Sequence, residues 1–187
     1  MNTSENAIGA GGATLPEAIK VWDPFVRVFH WSLATLFLAA YVTGDDAGHM
    51  HFAAGYAIAG LIALRIVWGF VGPRHARFSN FVRSPREVLT YLRDVAMFRA
   101  PRYLGHNPAG GVMIIALLVL LLGTGLTGYL MTTDVFWGAK WVEEVHEALA
   151  NLTVGLILFH VVGVLISSLK DGENLVKSMI TGWKRHA

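Results

Sequence analysis

Four apolar stretches, roughly Phe25–Thr43, His51–Val71, Gly110–Met131 and His146–Leu169, constrain this chain more than any other feature. At a helical rise of 1.5 Å per residue each is long enough to cross ~30 Å of hydrocarbon. Inside lipid every backbone N–H and C=O needs a partner within its own segment, and for isolated stretches of this length that means helix. Charged residues are only 15% of the 187, against ~25% in soluble domains, so water is not the main solvent. The expected fold class is all-α: one membrane-embedded domain over residues 1–187, built as a four-helix transmembrane bundle, with residues 1–20 as a flexible segment.

Charge sets the expected orientation. The link between the second and third spans carries seven arginines, Arg74 to Arg102, against Glu87 and Asp94, and the tail adds Lys170, Lys177, Lys184 and Arg185. The other two links are acidic, with Asp45 and Asp46 in one, and Asp134, Glu143, Glu144 and Glu147 against Lys140 in the other. The positive-inside rule then places both termini and the middle link in the cytoplasm. The net charge of +2 is thus a topology signal, and no nucleic-acid partner is expected. The first twenty residues lack the basic start and apolar run of a signal peptide, so insertion is expected to rely on the first span.

Within the middle link, Ser84-Pro85-Arg86-Glu87 has the cap, the proline and the acid of a helix start. Val88, Leu92 and Val95 follow at helical spacing, which predicts an interfacial helix on the inner face of the bilayer. Asn107-Pro108 has the form of a cap and first residue for the third span. Trp31, Trp137, Trp141 and Trp183 are expected to anchor the interfaces.

Strongly polar side chains inside spans are costly and usually functional. His30, His51, His146 and His160 fall within or at the edges of the spans. Fourteen residues separate His146 from His160, which returns to nearly the same helix face about 21 Å further along. Depth pairs His51 with His146 in an outer tier and His30 with His160 in an inner one. Two octahedral irons, each taking two axial imidazoles, would use all four. A lone membrane histidine is often just bonded to a neighbouring carbonyl, but four matched in depth across three helices are harder to explain that way. Tetrahedral zinc needs its ligands clustered, and His146-Glu147 is no zinc-protease motif because position 150 is alanine.

With no cysteine, covalent c-type attachment and iron–sulfur clusters are excluded, so any haem is held non-covalently. Gly55, one turn after His51, would let a porphyrin approach the backbone, although plain helix packing reads as well. Arg65, fourteen residues after His51, puts a guanidinium at the inner tier, where a haem propionate would satisfy it. Arg27, one turn before His30, reads equally as a propionate partner or a headgroup anchor. Gly123, Thr124, Gly125, Thr127 and Gly128 read mainly as close packing of the third span, with a quinone-lining or haem-facing role as the weaker reading. His49 is the rival to His51, while His75, His106 and His186 read as loop or tail residues, His106 as a solvated one before one that contacts a ring or headgroup.

The stretch Trp22-Asp23-Pro24-Phe25-Val26-Arg27-Val28-Phe29-His30-Trp31, then His51-Phe52-Ala53-Ala54-Gly55-Tyr56, Gly105-His106-Asn107-Pro108 and His146-Glu147-Ala148-Leu149-Ala150-Asn151 with His160 resemble the bacterial cytochrome b561 family. The likeness is strongest to members similar to the b-type subunit of nickel–iron hydrogenases. It implies an inner-membrane protein in which the four histidines ligate two haems b. It further implies electron exchange between a quinone, ubiquinone or menaquinone, and a periplasmic partner such as a hydrogenase, a dehydrogenase or a c-type cytochrome.

One branch of the family implies an alternative, a superoxide oxidase that reduces quinone. An enzyme gathering an anion benefits from a positive outer face, whereas the outer links here are acidic and suit a basic protein partner. The leading expectation is therefore a non-catalytic electron-transfer subunit, with room for a homodimer. A structural protein without cofactor is the third reading, and it predicts a colourless preparation.

Overall fold

The computed structural model describes residues 18–45 and 48–185. Strand β1 (Ala18–Lys20) leads into α1 (Pro24–Val42), and α2 (His49–Val71) follows after a short turn. A 3-10 turn at Arg74–Ala76, α3 (Phe78–Phe81) and α4 (Pro85–Ala96) form the middle link. A second pair of long helices, α5 (Pro108–Leu130) and α6 (Lys140–Asp171), precedes α7 (Leu175–Thr181) and strand β2 (Trp183–Arg185). α1, α2, α5 and α6 are long and apolar enough to cross a membrane.

Local chemistry explains the helix starts. Asp23 accepts from the Val26 N–H at 3.1 Å, and Asn107 accepts from Gly110 N–H at 2.7 Å, each followed by proline where a missing N–H costs nothing. Ser84 likewise accepts from Glu87 N–H at 3.3 Å and donates to the Glu87 carboxylate at 2.8 Å. α6 departs from expectation: it starts at Lys140 rather than His146, because Lys140-Trp141-Val142-Glu143-Glu144 continue the helix past the apolar stretch. It ends where Gly172 turns left-handed at φ 58°.

The first and last strands pair antiparallel, Ala18 opposite Arg185 and Lys20 opposite Trp183. The flexible segment expected over residues 1–20 thus gives way to ordered strand at Ala18, and residues 1–17 lie outside those described. Val21 and Trp22 extend the clasp by donating to the Gly182 carbonyl at 2.9 and 3.1 Å. Gly182 sits at φ 90°, and a Cβ there would come within 2.8 Å of the Trp22 carbonyl, so only glycine fits. Beneath the clasp Glu173 is buried, held by Arg102 at 2.9 Å, by the Arg185 N–H at 2.7 Å and by Lys184 at 4.0 Å.

Phe29, Ile58, Ile62, Leu118 and Leu121 form the core that joins α1, α2 and α5. Backbones pack closely between α1 and α2, α2 and α5, and α5 and α6, but not between α1 and α6. Long side chains bridge that side instead, as where the Tyr41 hydroxyl donates to Asn151 Oδ1 at 2.8 Å. Of the 32 residues of α6 only Val142 and Thr153 are buried. Leu38, Phe70, Leu158 and Phe159 are exposed on the outside of the spans, where lipid tails would meet them.

Candidate functional site

The α1–α2 and α5–α6 turns lie at one end of the bundle, the turn end; the middle link and the two strands lie at the other, the tail end. At the turn end the rings of His51 on α2 and His146 on α6 face each other with centroids 6.1 Å apart and planes 72° apart. His51 Nδ1 lies 2.8 Å from the Ala40 carbonyl, and His146 Nδ1 lies 2.9 Å from the Thr124 carbonyl. A carbonyl can only accept, so both Nδ1 atoms carry the proton and both Nε2 lone pairs are left for a metal. Thr127 adds its hydroxyl oxygen 3.1 Å from His146 Nδ1 while bonding back to the Gly123 carbonyl.

At the tail end His30 on α1 faces His160 on α6, with ring centroids 6.3 Å apart. His30 Nδ1 is buried without a partner among the described residues. Two imidazoles that point at one metal from about 2 Å on opposite sides have centroids roughly 6 Å apart, and both pairs match that span. Both also bridge from α6 to the α1–α2 side, where α1 and α6 leave their backbones apart. No cluster of three or more His, Asp, Glu or Cys that could hold a metal occurs among the described residues. A pair of imidazoles at each level suits an iron whose remaining four ligands come from a porphyrin, and it does not suit zinc.

Around these pairs the other candidate residues separate. Gly55 faces open space, since a Cβ there would meet nothing within 4 Å. Arg65 is only 3% exposed; it donates to the Ala76 carbonyl at 3.1 Å, lies 5.1 Å from the Phe78 ring, and leaves NH1 without a partner among the described residues. Arg27 donates to the Ile180 carbonyl and is thereby tied to α7. His49 is exposed, and the ring opposite His146 belongs to His51.

His106 departs most from expectation. It is no solvated loop residue: Trp22 and Phe81 cover it at ring distances of 4.5 and 5.0 Å. Burial, then the positive charges of Arg65 and Lys184, pushes its pKa down to about 3, so it stays neutral. His75 is lowered by burial and by Arg74 and Lys184. Sequence reasoning also missed the orienting role of Ala40 and gave Thr124 and Gly128 a haem-facing role only as the weaker reading. Ala40 and Thr124 act through backbone carbonyls, which leave no mark in side-chain patterns, and Gly128 acts by the side chain it lacks, since a Cβ there would lie 3.1 Å from His146 Cε1.

A membrane bundle of four helices, with imidazoles facing across its interior at two depths and no cysteine, is a b-type membrane cytochrome. The chain belongs to the prokaryotic cytochrome b561 family, whose model matches residues 21–182. It is 24% identical to a probable Ni/Fe-hydrogenase B-type cytochrome subunit of Rhizobium leguminosarum bv. viciae, over 89% of this chain and 88% of that protein. A protein of the same description from Bradyrhizobium diazoefficiens is 26% identical over 88% and 85% of the two chains. The putative cytochrome YdhU of Escherichia coli K12 is 27% identical over 91% of this chain and 76% of that protein. No solved structure matches the chain significantly. Family and spans together make it a multi-pass haem protein of the inner membrane.

Proposed function

We propose that the chain carries electrons across the membrane through two bis-histidine haems b, between a membrane quinone and a periplasmic redox protein. The observation that carries this is the doubled pairing, His51 with His146 and His30 with His160, at ring distances of 6.1 and 6.3 Å. Each haem, when bound, supplies a reversible one-electron iron couple. The protein's part is to hold the imidazoles. Ala40 and Thr124 fix two of the rings by accepting from Nδ1, which sets the tautomer and raises ligand basicity. Arg65 offers a positive charge at the tail-end level, where a propionate carboxylate would meet NH1.

In this reading the tail end, which gathers the arginine-rich middle link and the strands β1 and β2, faces the cytoplasm, and the turn end faces the periplasm. α4 lies along the inner surface of the bilayer with its exposed Leu89 and Leu92, and the exposed Met97 and Phe98 just past its end, turned to lipid. The relatives described as hydrogenase subunits support a periplasmic oxidoreductase as partner, and the acidic turn end favours a basic docking face over superoxide.

An optical spectrum of the detergent-purified chain before and after dithionite, with pyridine haemochrome quantitation, tests the reading. Two low-spin b haems per chain are expected. A colourless preparation, or one haem per chain, overturns it.

A further inference from the structure

Arg27 Nε, His30 Nδ1, Arg65 NH1, Trp68 Nε1, His75 Nδ1 and His106 Nδ1 are buried nitrogens without a hydrogen-bond partner among the described residues. All lie at the tail end, whereas His51 and His146 at the turn end are satisfied. An unmet buried donor costs free energy, so such a concentration marks a place built to receive something polar. The Arg65, Trp68 and Arg27 atoms can only donate, so what meets them is an acceptor. A guanidinium as buried as that of Arg65 calls for an anion.

A chain of ring contacts links Arg65 to His106. Arg65 lies 5.1 Å from the Phe78 ring, Phe78 lies 5.8 Å from Phe81, and Phe81 lies 5.0 Å from His106. His75 Nδ1 sits 3.0 Å from where a Cβ would be on Gly105, the residue before His106. Trp68 stands one turn beyond Arg65 on α2, with its ring 4.7 Å from Phe25 of α1. Nearby carboxylates are already engaged: Asp23, whose field reaches Arg65, accepts from the Val26 N–H, and Glu173 is shared by Arg102, Lys184 and Arg185.

We propose that Arg65, Trp68 and His106 form a carboxylate receptor that seats the propionates of the tail-end haem, with His75 as a further neutral ring beside them and the buried Lys184 as a nearby positive charge. This deepens the two-haem reading and rests on it. It assigns to the Gly105-His106-Asn107-Pro108 segment a cofactor-docking task, distinct from the Asn107 cap that starts α5. It also explains why the β1–β2 clasp and Trp22 close over this end, since excluding water strengthens each of these contacts.

The full-length chain, produced without haem and reconstituted in detergent with haem b or with its dimethyl ester, tests the proposal by release of each haem to excess apomyoglobin. In the unmodified chain the ester, which lacks both carboxylates, leaves the tail-end site about tenfold faster than haem b. Arg65→Gln and Trp68→Phe each speed release of haem b about tenfold and leave release of the ester unchanged. The turn-end haem, unaltered in both variants, reports that the chain is folded. Equal release of haem b and ester from the unmodified chain overturns the receptor, as do variants that speed both ligands alike. Failure of the two-haem reading is separable, because it appears as sub-stoichiometric haem in the unmodified chain before any variant is made.

Discussion

A Cβ on Gly128 would stand 3.1 Å from Cε1 and 3.4 Å from Nδ1 of His146. The absent side chain on α5 is what lets the imidazole on α6 lie against its neighbour and reach the Thr124 carbonyl. Gly128→Ala is therefore expected to displace the ring and weaken the turn-end haem ~10-fold, the scale of losing a ligand-orienting bond. Gly125→Ala, where a Cβ meets nothing within 4 Å, is its control and should leave haem content unchanged. Haem per chain and the reduced absorption bands of the two variants check the contrast.

Removing ligands should dissect the pairs. His51→Ala or His146→Ala is expected to abolish one low-spin haem and His30→Ala or His160→Ala the other, each leaving about half the pyridine haemochrome signal. The double variant His30→Ala with His160→Ala should resemble either single variant, since both remove the same iron. If His30→Ala and His146→Ala instead remove the same haem, the pairing by depth is wrong.

Much of this arrangement was legible in the sequence because it rests on periodicity. A fourteen-residue spacing returns to one helix face whatever surrounds it, so the placing of His146 and His160 needed no tertiary information. Ser84 and Asn107 announced their helices because capping is local. The start of α6 was misjudged because hydropathy marks where lipid begins, whereas helix continues through Glu143 and Glu144 into a polar setting. His106 looked like a loop residue because its cover, Trp22 and Phe81, comes from distant segments. Two three-residue strands separated by most of the chain offer no periodic signal at all, so the clasp between Ala18–Lys20 and Trp183–Arg185 was invisible.

That clasp carries a pH dependence. Burial alone would raise the Glu173 carboxyl, but the Arg185 N–H and the Arg102 and Lys184 charges overcome it and hold it below its ordinary value near 4.5. A carboxylate whose folded-state pKa is depressed contributes stability at neutral pH, and the contribution fades as pH falls through that lower value. Thermal unfolding in detergent should therefore show acid lability at the tail end. Glu173→Gln is expected to cost about 1–3 kcal/mol at pH 7 and to flatten the acid dependence. A variant that melts like the parent at pH 7 would mean that the Arg102 contact contributes nothing.

Asp45, Asp134, Glu143, Glu144 and Glu147 are all exposed at the turn end, with Lys140 as the base among them. Charges of one sign around a redox site raise the encounter rate with an oppositely charged protein and lower it for an anion. Electron exchange with a basic c-type cytochrome should accordingly slow as ionic strength rises past the point where the screening length falls to ~10 Å. Glu143→Gln with Glu144→Gln should lower the low-salt rate several-fold and weaken its salt dependence, while haem content and both potentials stay unchanged. Superoxide would respond in the opposite sense, accelerating as these carboxylates are neutralised and slowing in Lys140→Glu. Stopped-flow rates with the two reductants across a salt series separate the cases, because a common loss of haem function would slow both together. Only a charge-steered encounter moves them apart.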